Sequence, residues 1–295
     1  MQLKLIDGIL LINKEKNKTS SQTIIELKKI LKIKKIGHSG TLDKNATGLL
    51  VTGVGKSTKL LKYLFKLPKK YIAEIYFGIQ TTTDDVNGIK IKSYDGEIDL
   101  NHIKKKLLSF SGIIKQIPPD YSAVHINGKR SYKIAMKNQK PVLKEKIVEI
   151  TNCKILSFKK PLLKLEIDCS SGTYIRSIAR DLGIKTGYYA HLFSLKRKSI
   201  GKFKLKKANK IKKIKSGKIK LISAYNSLHN IPSIEIYRNN INYIKNGNKI
   251  NKEWLKNKKI INENNNNEYY KLHYKKKLLA IVKIINGNFK YDLVY

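Results

Sequence analysis

The sequence has few of the residues that build disulfide frameworks or metal sites. Its 295 residues contain two cysteines, Cys153 and Cys169, with no C-x-x-C pair and no matching histidine pair. This pattern predicts neither a disulfide framework nor a structural zinc site, and it fits a reducing compartment. No apolar run approaches the ~18 residues of a membrane helix, and no cleavage pattern follows the first apolar run. We therefore expect a cytoplasmic protein that does not bind membranes.

Acidic residues and arginine are also scarce. There are 21 Asp and Glu against 62 Lys and Arg, which gives a formal net charge of +41. Such a chain attracts polyanions, with nucleic acid as the leading candidate, although drift in an AT-rich genome explains part of the lysine excess. Only five arginines occur, and three of them lie between residues 176 and 197. Where lysine is the default cation, a retained guanidinium indicates a task that needs its forked donors.

One polar, glycine-rich segment stands out between two apolar ones. Residues 37–48, which we call the motif loop, have the sequence GHSGTLDKNATG and contain a single carboxylate, Asp43. Glycine permits tight turns and close approach, and a loop held by rigid neighbours is a usual carrier of a reactive side chain. Taken alone, Asp43 fits equally well as an ordinary turn or cap aspartate.

The motif loop resembles the catalytic motif of the TruB-type tRNA pseudouridine synthases, G-H-(T/S)-G-(T/A)-L-D-x-x-A-T-G. In that family the aspartate is the covalent catalyst that converts a uridine in the T-loop of tRNA to pseudouridine. The resemblance implies that Asp43 is the catalyst and that His38 helps to fill the space left by a flipped base. A loop histidine bound to a neighbouring carbonyl is the alternative for His38. Lys44 stands where the family usually has proline, which loosens the turn but removes no reacting group.

A second match follows the motif loop. The tripeptide Lys69-Lys70-Tyr71 is similar to the family's K-x-Y motif, and residues 78–85, GIQTTTDD, are similar to its G-x-x-T-x-T-x-D segment. The resemblance implies that Tyr71 stacks on the target base and is the candidate acid or base at C5. For a tyrosine considered alone, ordinary packing in a strand is the alternative.

Two more matches lie near the clustered arginines. Residues 169–183, CSSGTYIRSIARDLG, are similar to the family's C-S-x-G-T-Y-I-R-x-(I/L)-x-x-D-L-G motif. This implies that Arg176 pairs with the catalytic aspartate and that Tyr174 lines the base site; a carboxylate in a low-dielectric pocket needs a cation to stay ionised. Residues 190–201 resemble A-x-(L/V)-x-x-L-x-R-x-x-x-G, which implies that Leu195 and Arg197 bind substrate. Without the resemblance, Leu195 is an ordinary core residue.

The last match is a proline-containing segment. Residues 116–123, QIPPDYSA, resemble Q-x-P-P-x-Y-S-A, which in the family begins an insertion that grips the RNA stem-loop. The resemblance implies a thumb-like, RNA-binding insertion over about residues 116–145, with backbone contacts from Lys129, Arg130 and Lys133. A solvated basic loop is the alternative for each of these cations.

Hydrophobic periodicity predicts the main secondary-structure elements. We expect a buried strand over 8–14, a helix capped by Thr19, paired strands over 145–155 and 162–169, and short strands between 231 and 295. We also expect helices over 57–64 and 101–112 and a loop over the asparagine-rich residues 262–267.

The resemblance implies an α+β fold. We expect a mixed, mainly antiparallel β-sheet catalytic domain with flanking helices over residues 1–228. A small β-rich, PUA-like RNA-binding domain is expected over residues 229–295.

The resemblance also implies a function. We expect an isomerase that converts a T-loop uridine to pseudouridine, binds the T-stem-loop of tRNA, and needs no metal or nucleotide cofactor. No protein partner is implied, and we expect a monomer. The alternative is a non-catalytic tRNA-binding or tRNA-folding protein of the same fold; a ribosome-associated basic protein and a synthase inside a guide-RNA particle are further options. Asp43, Tyr71 and Arg176 all have the residue type that catalysis needs, and the insertion favours a stand-alone enzyme.

Overall fold

Two β-sheets organise the chain in the computed structural model, which describes residues 7–217, 219–256 and 269–295. The helices are α1 Ser20–Leu31, α2 Leu61–Phe65, α3 Leu100–Leu107, α4 Ser131–Ala135, α5 Ile175–Thr186, α6 Ile211–Lys215, α7 Ala224–Ser227 and α8 Ile241–Lys245. The strands are β1 Gly8–Lys14, β2 Ile36–Ser39, β3 Thr47–Val54, β4 Lys69–Phe77, β5 Ile79–Thr81, β6 Lys90–Ser93, β7 Gly112–Gln116, β8 His125–Ile126, β9 Lys129–Arg130, β10 Lys146–Lys159, β11 Leu162–Cys169, β12 Ala190–Ile200, β13 Phe203–Lys204, β14 Leu221–Ile222, β15 Ser233–Glu235, β16 Tyr269–Tyr274, β17 Lys277–Ile285 and β18 Asn288–Val294. The asparagine-rich tract over 262–267 lies outside the described residues.

Ten of the described strands form the larger sheet. Its order is β14-β1-β3-β12-β4-β11-β10-β7, with β2 beside β3 and β13 beside β12. The described strand pairs in it are antiparallel except for β3 and β12, which run parallel. The last two residues of the motif loop, Thr47 and Gly48, are the first of β3 and pair with Lys196 and Arg197, which sets the loop beside the middle of the sheet.

Local sequence explains why the central elements form. The strand β1 is almost fully buried along its length, and β4 alternates buried and half-buried residues, the period of a strand with one face in the core. Helix α1 begins after Thr19, whose hydroxyl accepts from the backbone N–H of Gln22 in a capping box. The predictions for the strand over 8–14 and for this capped helix are confirmed.

One face of the larger sheet is covered by helices. Ile103 of α3 and Ile178 and Leu182 of α5 pack with Ile75 and Leu165 of the sheet in one buried cluster. The central strands are thereby held rigid, which is the condition for positioning a site on them.

Two predicted helices differ from the structure. The one expected over 57–64 is a 3₁₀ helix from Gly55 to Leu60 followed by α2, because the chain leaves β3 through a tight turn at Gly55, where φ is 62°. The one expected over 101–112 ends as an α-helix at Leu107, because Gly112, with φ of 82°, already turns the chain into β7.

The strands β7 and β10 bracket the predicted insertion. Gln116 pairs with Lys146 across these antiparallel neighbours, so the residues between them leave the sheet and return to it. They contain the hairpin of β8 and β9 and the short helix α4. The insertion is thus anchored at the sheet by both of its ends.

A separate β-rich unit ends the chain. Its four described strands follow the order β15-β16-β17-β18. Leu278 and Ile281 of β17 pack in one buried cluster with Leu64, and the Tyr295 hydroxyl lies 2.6 Å from Asp7 Oδ2, to which it donates. The α+β fold with a mainly antiparallel sheet and a C-terminal β-rich domain is confirmed; the PUA-like character stays a prediction. In the described part of the chain, no helix has both the length and the apolar character of a membrane span.

The last glycine of the motif loop gives a test of this packing. Gly48 has φ of 105°, and a Cβ there would lie 2.8 Å from the backbone nitrogen of Arg197 and closer still to its carbonyl oxygen. We expect Gly48→Ala to lower the free energy of unfolding by about 2–5 kcal/mol, because overpacking adds to left-handed strain. Gly128→Ala is the matched control: φ is 79° and the space around it is open. It is expected to cost only about 1–2 kcal/mol. Equal losses in urea unfolding would contradict this reading.

Candidate active site

A cleft of about 470 Å³ opens where the motif loop, the insertion and the start of α5 meet. The side chains proposed from the sequence that line it are Asp43, Tyr71, Arg130, Tyr174, Arg176, Leu195 and Arg197. Those that lie outside its wall are His38, Lys129 and Lys133. The chain therefore brings most of the proposed residues together from distant segments.

The motif loop is fixed by contacts from behind. Ser20, the first residue of α1, donates to the carbonyl oxygen of Leu42 at 3.1 Å and accepts from its N–H at 2.9 Å. The ammonium of Lys14 reaches the carbonyl oxygen of Lys44 at 3.3 Å. Asn45 Nδ2 donates to Asn87 Oδ1 at 2.6 Å. These contacts hold the backbone on both sides of Asp43, so the loss of the family proline at Lys44 leaves the loop well constrained.

Asp43 and Arg176 form a two-pronged ion pair. Nε of Arg176 lies 3.0 Å from Oδ2 of Asp43, and Nη2 lies 3.3 Å from Oδ1. The arginine side chain is 8% exposed and the aspartate 40% exposed. The carboxylate thus faces the cleft while its cation lies behind it. Removing one partner of a buried pair costs about 3–5 kcal/mol, a figure that the exposure of Asp43 reduces.

Arg176 also binds two further segments. Its Nη1 donates to the carbonyl oxygens of Tyr121 at 3.1 Å and of Thr83 at 3.4 Å. One guanidinium therefore connects the motif loop, the insertion and the loop after β5. Its five donors in a rigid fork make this possible, which a lysine could not reproduce.

Tyr71 lies in the central strand β4, opposite Arg197 of β12. Burial raises the pKa of its phenol, an effect that the nearby Arg197 guanidinium opposes. The phenol is therefore neutral at neutral pH. Such a group beside Asp43 can hydrogen bond to a base that enters the cleft.

Arg197 is buried, and its guanidinium is directed at the protein backbone. Nε donates to the carbonyl oxygen of Leu49 at 2.8 Å and Nη2 to that of Gly40 at 3.0 Å. Nη1 lies 3.5 Å from the carbonyl oxygen of Thr41. The contacts in the structure are those of a residue that positions the motif loop, and direct binding of substrate by Arg197 stays a prediction.

Tyr174 is held at the rim by a residue that sequence reasoning did not assign. The side-chain amide of Gln116 accepts from the N–H of Tyr174 at 2.8 Å and donates to its carbonyl oxygen at 3.0 Å. Burial raises the pKa of the Tyr174 phenol. Leu195 is half-buried and packs against the core while one side faces the cleft. An apolar, partly open leucine in this place can contact a bound base.

Two buried lysines near the cleft were not assigned roles from the sequence. Burial lowers the pKa of Lys14 and of Lys69 to about 8 in each case. Besides Lys44, the Lys14 ammonium binds the carbonyl oxygen of Lys18 at 2.6 Å, and Lys69 binds that of Leu67 at 2.8 Å. The sequence signal for Lys14 is a cation that ends an otherwise apolar, buried strand.

The third clustered arginine also has a forked role. Arg180 pairs with Asp84 at 3.0 Å and with Asp181 at 2.8 Å, and its Nη2 donates to the carbonyl oxygen of Ile117 at 2.9 Å. Burial raises the pKa of Asp84 to about 6 even with this arginine beside it. The inference that the arginines between 176 and 197 serve tasks needing several donors is confirmed.

Two groups of proposed residues lie away from the cleft wall. His38 is on β2 opposite Thr52, and its buried Nδ1 has no hydrogen-bond partner among the described residues. Burial lowers the His38 pKa, which keeps the ring neutral. Lys129 and Lys133 are exposed on the insertion. Their roles stay predictions.

The buried Lys14 predicts a pH-dependent stability. Its pKa falls from the ordinary 10.5 to about 8 in the folded protein, so the unfolded chain binds more protons between these values. The free energy of unfolding that depends on Lys14 therefore increases with pH between these two pKa values. We expect the free energy of unfolding of the wild type, relative to Lys14→Met, to increase from about pH 8 to about pH 10. Urea unfolding across this range measures it, with the exposed Lys105→Met as control; a constant difference would contradict the assignment.

Comparison with solved structures shows the same fold. A chain in the crystal structure of a Cbf5-Nop10-Gar1 complex has a TM-score of 0.75 at 19% identity, covering 100% of this chain and 86% of that chain. A chain in the structure of an H/ACA RNP bound to a substrate RNA containing 2'-deoxyuridine has a TM-score of 0.73 at 17% identity, covering 98% and 84%. At such identities the likeness shows the shared fold alone.

Sequence comparisons give a closer relationship. The family model described as TruB family pseudouridylate synthase (N terminal domain) matches residues 28–175. A Borreliella burgdorferi protein named tRNA pseudouridine synthase B is 44% identical over 243 residues, which cover 82% of this chain and 85% of the relative. A Staphylococcus aureus protein of the same name is 38% identical over 272 residues, covering 85% and 88%. The chain therefore belongs to the TruB family of pseudouridylate synthases.

Proposed function

We propose that this chain isomerises a uridine in the T-loop of tRNA to pseudouridine, with Asp43 as the nucleophile. The observation that carries the proposal is the bidentate pair of Asp43 with Arg176 in an open cleft. The guanidinium fixes the orientation of the carboxylate while leaving it partly open to the cleft, which a positioned nucleophile requires. The curated relatives named for tRNA support the substrate.

The reaction needs access to the base, so the target uridine leaves its stack and enters the cleft. Asp43 then attacks as the nucleophile, at C1′ of the ribose or at C6 of the base. The N1–C1′ bond breaks, the uracil turns, C5 bonds to C1′, and the bond to Asp43 breaks, which regenerates the carboxylate. The proton from C5 leaves and N1 gains one, so the product is an isomer of the substrate. No atom is lost, and no redox step is required.

Tyr71 is our candidate for the group that handles the C5 proton. Its raised pKa means that it enters the reaction as a neutral phenol. A neutral phenol stacks on and hydrogen bonds to the uracil, and it accepts the C5 proton only as its own proton passes to solvent. Leu195 and Tyr174 complete an apolar enclosure, in which charge interactions are stronger than in water.

The exposed cations of the insertion fit an RNA stem beside this cleft. Arg130 lines the cleft, while Lys129 and Lys133 are exposed nearby in the same segment. We propose that they contact phosphates, which would position the T-stem without reading its sequence. His38 is proposed to contact the space that the flipped base leaves. With these contacts the enzyme binds tRNA by itself, as a stand-alone enzyme requires.

We also propose a division into a catalytic domain over 1–228 and a small RNA-binding domain over 229–295. In its support, the described strands of the second sheet begin at Ser233, and residues 221–222 still pair with β1 of the larger sheet.

Replacing the nucleophile tests the proposal directly. We expect Asp43→Asn to lower the single-turnover rate of pseudouridine formation on a tRNA transcript by a factor of about 10³ or more. The affinity for tRNA is expected to stay within about three-fold, because the amide is isosteric and the phosphate contacts are unchanged. Asp95→Asn, at an exposed turn, is the matched control. If Asp43→Asn keeps the wild-type rate, the nucleophile is another residue; if the wild type binds tRNA without modifying it, the non-catalytic alternative holds.

The role of Tyr71 has a separate test. We expect Tyr71→Phe to lower the rate of the chemical step by a factor of about 10²–10⁴, the usual contribution of a positioned acid or base. The ring is retained, so the dissociation constant for tRNA is expected to change little. Tyr76→Phe, on the opposite face of the same strand, is the control. A Tyr71→Phe enzyme with wild-type single-turnover kinetics would assign the proton transfer elsewhere.

A further inference from the structure

A second cavity lies beside α2, between the catalytic sheet and the C-terminal sheet. It has a volume of about 410 Å³, and its wall includes Lys62, Lys66, Asn230 and Tyr269. Catalysis, as proposed above, uses none of these residues. Its wall combines cations, an amide and an aromatic ring, the groups that bind phosphates and nucleobases.

The catalytic cleft and this interdomain cavity meet at the end of α2. Phe65 lines the cleft, and the next residue, Lys66, lines the cavity. Consecutive Cα atoms are about 3.8 Å apart, so the two openings lie within the span of one nucleotide or two at this border. The two openings therefore share the end of α2 as a common border.

Phe65 is a large apolar side chain held open at the rim of the cleft. It is 50% exposed, although aromatic rings are usually buried. Its carbonyl oxygen accepts from Lys69 Nζ and from Ser171 Oγ, at 2.7 Å in each case. The Lys69 ammonium also lies 5.3 Å from the ring centroid. These contacts fix the backbone that carries the ring, which suits a preformed stacking surface.

The charges around the cavity favour an anion. Asp292 is paired with Lys62 at 2.5 Å and also accepts from the Tyr63 hydroxyl, so the charges of Lys62 and Asp292 offset each other. Lys66 is exposed at the cavity. The Lys283 ammonium lies 4.7 Å from the ring centroid of Tyr269, which adds a further cation beside the aromatic wall.

We propose that the end of α2 and the interdomain cavity form a second RNA-binding site, which takes the single-stranded nucleotides next to the target uridine. Phe65 stacks on a neighbouring base and Lys66 binds the phosphate that follows it. The wall with Asn230 and Tyr269 receives the next nucleotide. The inference rests on the proposed function, because the bound strand is continuous with the substrate in the cleft. Stacking of this kind tolerates any base, so the site positions the substrate without reading its sequence.

A fluorescent stem-loop tests the stacking step. The Asp43→Asn protein, which binds without turnover, is titrated with a T-stem-loop RNA that carries a fluorescent adenine analogue next to the target uridine. We expect Phe65→Leu to weaken binding about ten-fold and to abolish stacking-dependent quenching, because one base–aromatic stack is lost. Phe65→Tyr keeps the ring and is expected to behave as the parent. Quenching and affinity that are unchanged in Phe65→Leu would overturn the proposal.

The salt dependence of binding tests the phosphate contact. We expect Lys66→Ala to reduce the slope of log K against log salt by about 0.7, the value for one contact on single-stranded nucleic acid. Lys105→Ala, an exposed lysine of α3, is expected to leave the slope unchanged. Equal slopes for Lys66→Ala and the parent would overturn the phosphate assignment.

Failure of the proposed function gives a different result. If that function is wrong, the wild type forms no pseudouridine; if only this inference is wrong, the wild type keeps its activity.

Discussion

The arrangement of the cleft depends on one interaction, the pairing of Asp43 with Arg176. The guanidinium must be buried to lie behind the carboxylate, and its remaining donors must find partners there. Tyr121 and Thr83 supply them through their carbonyl oxygens. The same residue therefore orders the carboxylate of Asp43, the base of the insertion and the loop after β5. Arg176 thereby links Asp43 to each of these segments through one side chain.

Three buried cations hold the backbone around this pair. Lys14 and Arg197 bind carbonyl oxygens of the motif loop from behind, while Lys69 binds those at the end of α2. The depressed pKa values of the two lysines show that burial here is costly. The packing of the sheet offsets that cost. The contacts of these cations hold the one carboxylate of the loop in a fixed position. The same positive surroundings attract a polyanionic substrate.

The sequence predicted local structure well and long-range roles unevenly. The alternating strand β4 and the capped start of α1 follow from periodicity and cap chemistry within a few residues. The contact between Asp43 and Arg176, 133 residues apart, could be expected only through motif resemblance. The backbone contacts of Arg197 and the burial of Lys14 were not predicted. Sequence spacing shows that a residue is in a strand, but it does not show that a distant loop packs over its side chain. The position of Phe65 at the rim likewise depends on how α2 packs, which no motif encodes.

Mapping pseudouridine at nucleotide resolution distinguishes isomerisation at the Asp43 cleft from binding of tRNA alone. An unmodified tRNA transcript is incubated with the wild-type protein, and every uridine is examined for conversion. We expect a single new pseudouridine in the T-loop, as proposed for one flipped base beside Asp43 with the adjoining stem on the insertion. Conversion only outside the T-loop, or tight binding with no conversion at any uridine, would contradict it.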